Sequence, residues 1–236
     1  MIRVNRILNQ DVWDTVCDDP SCGEFRVEIK PEVRKSLLRI AYDFLESLDP
    51  KMKFTDITLT GSMANYNYTD QSDLDLHVLF NFDAQGESGE LIQDLFNAKR
   101  RIWNDSHNIK IRDHDVELYA QDTNEPHHST GVFSVLRNKW LVVPHRTNPE
   151  IDEEYVLKKS QDIMDRIDFL VDLEDKRSSL QNTKEKIMKM RKSGLERKGE
   201  FAEENLIFKT LRNTGYIGKL NDVIRNEYDR SVSLDQ

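Results

Sequence analysis

The chain has 236 residues, 37% of them hydrophobic and 33% charged, and a formal net charge of −9. That length admits one large domain or two small ones, either able to bury a core, and the apolar residues fall in periodic blocks, which excludes a disordered chain. The acidic balance excludes a general DNA-coating protein, and no apolar run approaches the roughly 20 residues that a membrane-spanning helix needs.

The opening residues, MIRVNRILNQDVWD, lack the apolar core and small-residue cleavage site of a secretory signal, so a cytoplasmic location without membrane attachment is expected. Cys17 and Cys22 stand in CDDPSC with no neighbouring His. They read as reduced thiols in a turn-rich loop rather than as zinc ligands or a disulfide.

Pro31 opens a helical pattern that runs to about Leu48 through Val33, Leu37, Ile40, Ala41, Phe44 and Leu45, and Asp49-Pro50 ends it. The segment DITLT (56–60) alternates apolar and polar residues as a strand does, and Gly61-Ser62 breaks it. LDLHVLF (74–80) predicts a second strand and ELIQDLFNAKRRIW (90–103) an amphipathic helix. IRDHDVELYAQ (111–121) predicts a third strand, with Val116, Leu118 and Ala120 on one face and Asp115, Glu117 and Tyr119 on the other. A hairpin is expected at 132–143, turning at Arg137-Asn138.

After Pro144 the pattern predicts helices only, at about 152–173, 179–192, 203–213 and 216–229, with Gly194 and Gly215 at C-cap positions. The order of elements gives an α/β (α+β) fold: a small mixed sheet with flanking helices over 1–146, then a helical domain over 147–236. Residues 184–198 (KEKIMKMRKSGLERK) carry seven Lys/Arg against two Glu, a local +5, which leaves −14 on the rest of the chain.

The stretch LTGSMANYNYTDQSDLDLHVLF (59–80) concentrates the chemistry. A strand ends in Gly61-Ser62, a polar segment of ten residues follows, and Asp73 and Asp75 then sit two apart at the start of an apolar strand. Two carboxylates on one strand face repel unless a hard cation joins them, and Mg²⁺ favours one or two carboxylates together with substrate phosphates. A Gly-Ser turn offers backbone N–H groups and a hydroxyl, and a helix beginning at Ser62 would add a further anion site. His77 shares the Asp75 face, as a substrate contact or a local hydrogen-bonding residue. His127-His128 falls in the polar loop DTNEPHHST and reads as surface.

This pattern resembles the polymerase-β-like nucleotidyltransferase superfamily, whose motif is an apolar residue, Gly, Ser or Gly, a gap of about ten residues, then Asp-x-Asp flanked by apolar residues. Thr60 precedes Gly61-Ser62 here, and Leu76 and Val78 flank Asp73-Leu74-Asp75. The resemblance covers about 55–121. It implies a third carboxylate on a later strand, for which Glu117 fits and Asp115 is the alternative. It further implies two Mg²⁺ ions (or Mn²⁺ in their place) held by Asp73, Asp75 and Glu117. A nucleoside triphosphate, ATP among the candidates, would be oriented by Gly61 and Ser62, and NMP would pass to an acceptor hydroxyl. The acceptor would be an RNA 3′ end, a nucleotide, a small molecule or a protein, and the basic 184–198 segment suits RNA phosphates. The alternative is a degenerate fold that binds a nucleotide or a partner. No Arg-Arg-Asp-Phe type motif accompanies the third carboxylate, which disfavours a CCA-adding branch, and the chain is short for a poly(A) polymerase. The helical remainder resembles nucleotidyltransferase-like proteins of tailed bacteriophages, which implies a host cytoplasm.

Overall fold

The structure, a computed structural model, describes residues 4–17, 25–48, 53–82, 89–125, 129–146, 149–174 and 176–234. It divides into two compact units, residues 1–147 and 148–236. The fold is mixed α/β with a helical C-terminal region, as the order of elements implies.

The first unit begins with a hairpin that periodicity does not reveal, β1 (Trp13–Cys17) antiparallel to β2 (Arg26–Ile29). Helix α1 (Pro31–Glu46) follows, with Pro at its start and Val33, Leu37, Ile40, Ala41 and Phe44 buried along one face. Next come β3 (Phe54–Thr60), β4 (Leu74–Phe80), α2 (Gly89–Ser106), β5 (Lys110–Ile111), β6 (His114–Asp122), β7 (Val132–Ser134) and β8 (Lys139–Val142). They form a six-stranded sheet in the order β5-β6-β4-β3-β7-β8. Among the described residues only β4 and β6 pair in parallel, joined through α2, and the other neighbours are antiparallel.

The strand expected at 111–121 is two strands. Arg112 and Asp113 both take positive φ, 52° and 67°, and turn the chain back on itself between β5 and β6. The hairpin expected at 132–143 forms, with Asn138 at φ 54° in its turn.

The apolar side of the sheet is unambiguous. Leu74, Leu76, Val78 and Phe80 of β4 and Leu118 of β6 share one core with the buried face of α1 and with Phe96 of α2. Asn104 of α2 caps the outer edge of β6: its amide donates to the Leu118 carbonyl at 3.0 Å and accepts from the Leu118 N–H at 3.2 Å. The β1–β2 hairpin is held by aromatic packing, with Trp13 stacked on Trp140 at 4.6 Å and edge-on to Phe133 at 5.1 Å.

The second unit contains α3 (Glu153–Val171), α4 (Arg177–Lys198), α5 (Glu203–Asn213) and α6 (Tyr216–Val232). Asp152 caps α3 by accepting from the Tyr155 N–H at 2.9 Å. Gly215, at φ 82°, closes α5 in the left-handed conformation expected of a C-cap glycine. Gly194 behaves otherwise. It lies inside α4, which continues to Lys198, because a side chain there would meet the Glu204 Cβ at 2.8 Å. Its role is close helix packing, and Gly199, at φ 69°, marks the end of the helix. Among the described residues no helix is long and apolar enough to cross a membrane.

Candidate active site

The sheet register assembles the sequence candidates from separate segments. Asp75 of β4 stands beside Glu117 of β6, and His77 beside Tyr119. On the other edge of β4, Thr60 stands beside Asp75 and Thr58 beside His77. Residues level with one another in a sheet share a face. Thr60, Asp75 and Glu117 therefore form one polar row and Thr58, His77 and Tyr119 the next, on the face opposite the apolar core.

Asp73 lies one residue ahead of β4 and is half-buried, as are Asp75 and Glu117. Asp115 is exposed at the start of β6, where Lys110 of β5 pairs with it at 3.3 Å. Of the two candidates for the third carboxylate, Glu117 is the one level with Asp75.

Gly61 ends β3 at φ 72°, ψ −160°, a region open to glycine and strained for other residues. A Cβ at this position would lie 1.8 Å from Oδ2 of Asp75, so the Asp75 carboxylate rests directly against the Gly61 backbone. Only glycine permits that approach.

The helix considered at Ser62 is a single 3₁₀ turn, Ser62–Ala64, ended by extended Asn65 at φ −147°. The chain cannot continue helically because its next residues are anchored in other directions. Trp13 donates its indole N–H to the Met63 carbonyl at 2.7 Å, and Asn65 donates its side-chain amide to the Thr130 hydroxyl. The turn offers a few backbone donors without a substantial helix dipole.

The ten-residue polar segment is correspondingly not a loose loop. Tyr66 and Asn67 are buried within it, and Asn5 donates to the Tyr66 and Tyr68 carbonyls at 3.1 and 2.8 Å. The Ser62 hydroxyl donates to Ser72 Oγ at 2.9 Å, and Ser72 Oγ also accepts from the Thr69 N–H at 2.9 Å. Nδ1 of buried His114 lies 2.9 Å from the Ser72 carbonyl oxygen. The Gly-Ser turn, the residue before Asp73 and the first residue of β6 thus form one hydrogen-bonded chain.

Tyr119 reports the electrostatics of the row. Burial pushes its phenol well above the usual tyrosine range; the nearby Asp75 and Glu117 charges and a hydrogen bond with Glu117 add to this, against an opposing effect from Arg100. Arg100 of α2 lies over the Tyr119 ring, with Cζ 5.1 Å from its centroid. His77 stacks on Tyr119 at 4.6 Å, and its Nδ1 is 2.6 Å from Oε1 of Gln121. His77 is therefore held by its own face of the sheet.

Sequence reasoning places Tyr119 on the Glu117 face without giving it a role, and it does not distinguish His114, Ser72, Arg100 or Gln121. Tyr119 and Gln121 carried a signal, since they follow Glu117 at alternate positions. His114 did not, because its place depends on the turn at Arg112-Asp113.

Among the described residues no group of three or more His, Cys, Asp or Glu is gathered to hold a metal ion by itself. Two carboxylates on adjacent strands remain, a donor set that suits Mg²⁺ when phosphates and water complete its shell. Cys22 and His127-His128 lie outside the described residues, and of Cys17 only the backbone is described. No family model, curated protein or solved structure matches the chain.

Proposed function

We propose that the protein is a metal-dependent nucleotidyltransferase that moves NMP from a nucleoside triphosphate to an acceptor hydroxyl. The observation that carries this reading is the juxtaposition of the Gly61-Ser62 turn with Asp75 and of Asp75 with Glu117. A phosphate-sized anion at the turn would lie next to a pair of carboxylates, and a divalent cation among them would offset the charge of all three. Asp75 and Glu117 would hold Mg²⁺, or Mn²⁺ in its place, with Asp73, one residue ahead of β4, joining them once the ion and phosphates are bound; the ion when bound supplies charge neutralisation for the triphosphate and acidifies the acceptor hydroxyl.

The rest falls to the chain itself. Backbone N–H groups of the turn and the Ser62 hydroxyl orient the phosphates, with Ser62 rotating from Ser72 toward its ligand. Tyr119 steadies the Glu117 carboxylate by hydrogen bonding, and His114 fixes the peptide ahead of Asp73. The acceptor oxygen forms a bond to the α-phosphorus, the bond from that phosphorus to the bridging oxygen breaks, and pyrophosphate leaves with the electron pair while the acceptor proton passes to solvent. Position and charge stabilisation supply the rate.

The acceptor classes remain an RNA 3′ end, a nucleotide, a small molecule or a protein. The test is incubation with each α-labelled triphosphate and Mg²⁺, with and without total cellular RNA, following both pyrophosphate and the labelled species. Pyrophosphate release that depends on Asp75 supports the reading. Nucleotide binding without release would leave a nucleotide-binding module.

A further inference from the structure

We propose that α2 is a self-association surface through which two copies of this chain pair antiparallel. The helix carries apolar residues on two sides. Phe96 is buried in the core, with Ile92 and Trp103 packed against it. On the outer side Leu91, Leu95 and Ile102 are 73%, 51% and 65% exposed, and Ala98 is exposed between them. These four residues follow one another at spacings of four, three and four, which is the repeat of a coiled-coil seam. Among the described residues no part of the first unit buries these four side chains, and a contiguous exposed apolar seam marks an interaction surface.

The flanks of the seam select the occupant. Asp94 and Arg101 are exposed on the same side of it, one heptad apart. A twofold axis between Leu95 and Ala98 sets Leu91 against Ile102 of the second copy and Leu95 against its Ala98. The same operation brings Asp94 beside Arg101 of the second copy, and symmetry repeats every contact. Each large residue then meets a complementary one, small Ala98 lets the helices approach, and both charges are matched. A parallel pair would stack Ala98 on Ala98 and turn Asp94 toward Lys99 of the second copy, whose Nζ is already committed to the Ser47 carbonyl at 2.7 Å. The antiparallel sense is the one that sets Leu95 against small Ala98 and matches both exposed flanking charges.

One helix pair covers less than the roughly 1,600 Å² of a standard interface, so association in the micromolar range is expected. The test is sedimentation equilibrium of the full chain from low-micromolar to high-micromolar concentration. The mass should rise from one chain to two. Leu95→Asp should hold the protein monomeric, and Asp94→Arg and Arg101→Asp should each weaken association by about tenfold. The double variant, Asp94→Arg with Arg101→Asp, should recover to within about threefold of the parent, because the swapped charges again face opposite signs. All three positions are exposed, so the variants should keep the fold, which circular dichroism checks. A single-chain mass throughout the range overturns the proposal, including the case in which another protein or another segment covers the seam. A dimer indifferent to these substitutions overturns it, and so does a double variant no stronger than the single ones.

Discussion

Asp75 and Glu117 stand level on a parallel pair of strands, although 41 intervening residues separate them in the chain. Helix α2 makes this possible, since two parallel neighbours need a crossover and α2 supplies it. The polar row that results is the part of the molecule on which the proposed chemistry depends.

Asp75→Asn and Glu117→Gln should each lower pyrophosphate release by roughly 10³ or more, the equivalent of several kcal/mol of lost charge stabilisation. Asp73→Asn should fall in the same range. Asp115→Asn should have a small effect, because Asp115 pairs with Lys110 at the exposed start of β6. Steady-state kinetics on the four purified variants decides the matter, and equal losses at Asp115 and Glu117 would count against Glu117 as the third carboxylate.

Gly61→Ala should be the most damaging single change in the phosphate turn. The alanine would adopt a backbone region costing about 1–3 kcal/mol and would push the Asp75 carboxylate aside. Both the urea midpoint and activity should drop. Ser62→Ala removes one hydroxyl bond to Ser72, worth about 1 kcal/mol, and should chiefly raise KM for the nucleotide. Equal urea midpoints for Gly61→Ala and the parent would contradict the observed approach of the two groups.

Tyr119→Phe isolates the hydrogen bond to Glu117, since the phenylalanine ring retains its stacking on His77 and its place beneath Arg100. The expected result is a kcat about tenfold lower with little change in KM, corresponding to one lost hydrogen bond to a charged group. A purely structural role would instead lower the melting temperature and leave kcat unchanged.

How much of this was legible in the sequence depends on the range of the forces involved. Helix α1 was legible because Pro31 and the spacing of Val33, Leu37, Ile40 and Phe44 act within one element. The separation of Leu118 from Glu117 across β6 was legible for the same reason, since alternation alone assigns the faces. The β1–β2 hairpin was not, because its short strands are fixed by the distant Trp140. Nor was the turn at Arg112-Asp113, where an arginine adopts positive φ against its own preference. Gly194 misled because a glycine near a helix end suggests a cap, whereas here the crowding comes from Glu204 on the next helix. At the site, the row of Asp75 and Glu117 could be proposed from alternation and a motif, but the links through Ser72 and His114 belong to tertiary packing.

The second unit makes a pH prediction. Asp168 of α3 accepts from Lys219 Nζ at 2.6 Å and from the Tyr216 hydroxyl at 2.8 Å, both on α6. The Lys219 hydrogen bond, then that of Tyr216, holds the Asp168 carboxyl below its ordinary value of 3.8. The folded state therefore prefers the ionised carboxylate, so this stabilisation is complete above the ordinary value and is lost as pH falls through the lower folded one. Lys219 is raised above 10.5 by Asp168, so its share persists below that value and fades as pH rises through the folded one. The melting temperature of the parent minus that of Asp168→Asn should stay positive between these limits and shrink beyond each. The difference should be modest, because the groups are exposed and solvent screens them. A difference independent of pH would refute the ion-pair origin.

The basic stretch of α4 yields the prediction that bears on the acceptor. Its seven cations are not equivalent. Arg191 lies over the Phe208 ring at 4.2 Å and donates to Asn205, Arg197 pairs with Glu204, Lys198 binds Glu203 at 3.1 Å, and Lys192 is 4.0 Å from Glu196. Removing Arg191 or Arg197 would disturb helix packing as well as charge, so neither cleanly tests nucleic-acid binding. Lys184, Lys186 and Lys189 are the residues to change, and a Lys184/Lys186/Lys189→Ala variant should keep its fold. If RNA is the acceptor, these lysines contact phosphates and release counterions on binding, and log affinity falls linearly with log salt. The triple variant should bind RNA more weakly at low salt, with a slope shallower by about 2, since each lost contact removes roughly 0.7–0.9. The measurement is RNA affinity over a salt series for both proteins, alongside pyrophosphate release without RNA. Equal slopes with intact release would remove α4 from acceptor binding and turn the search to nucleotide, small-molecule or protein hydroxyls.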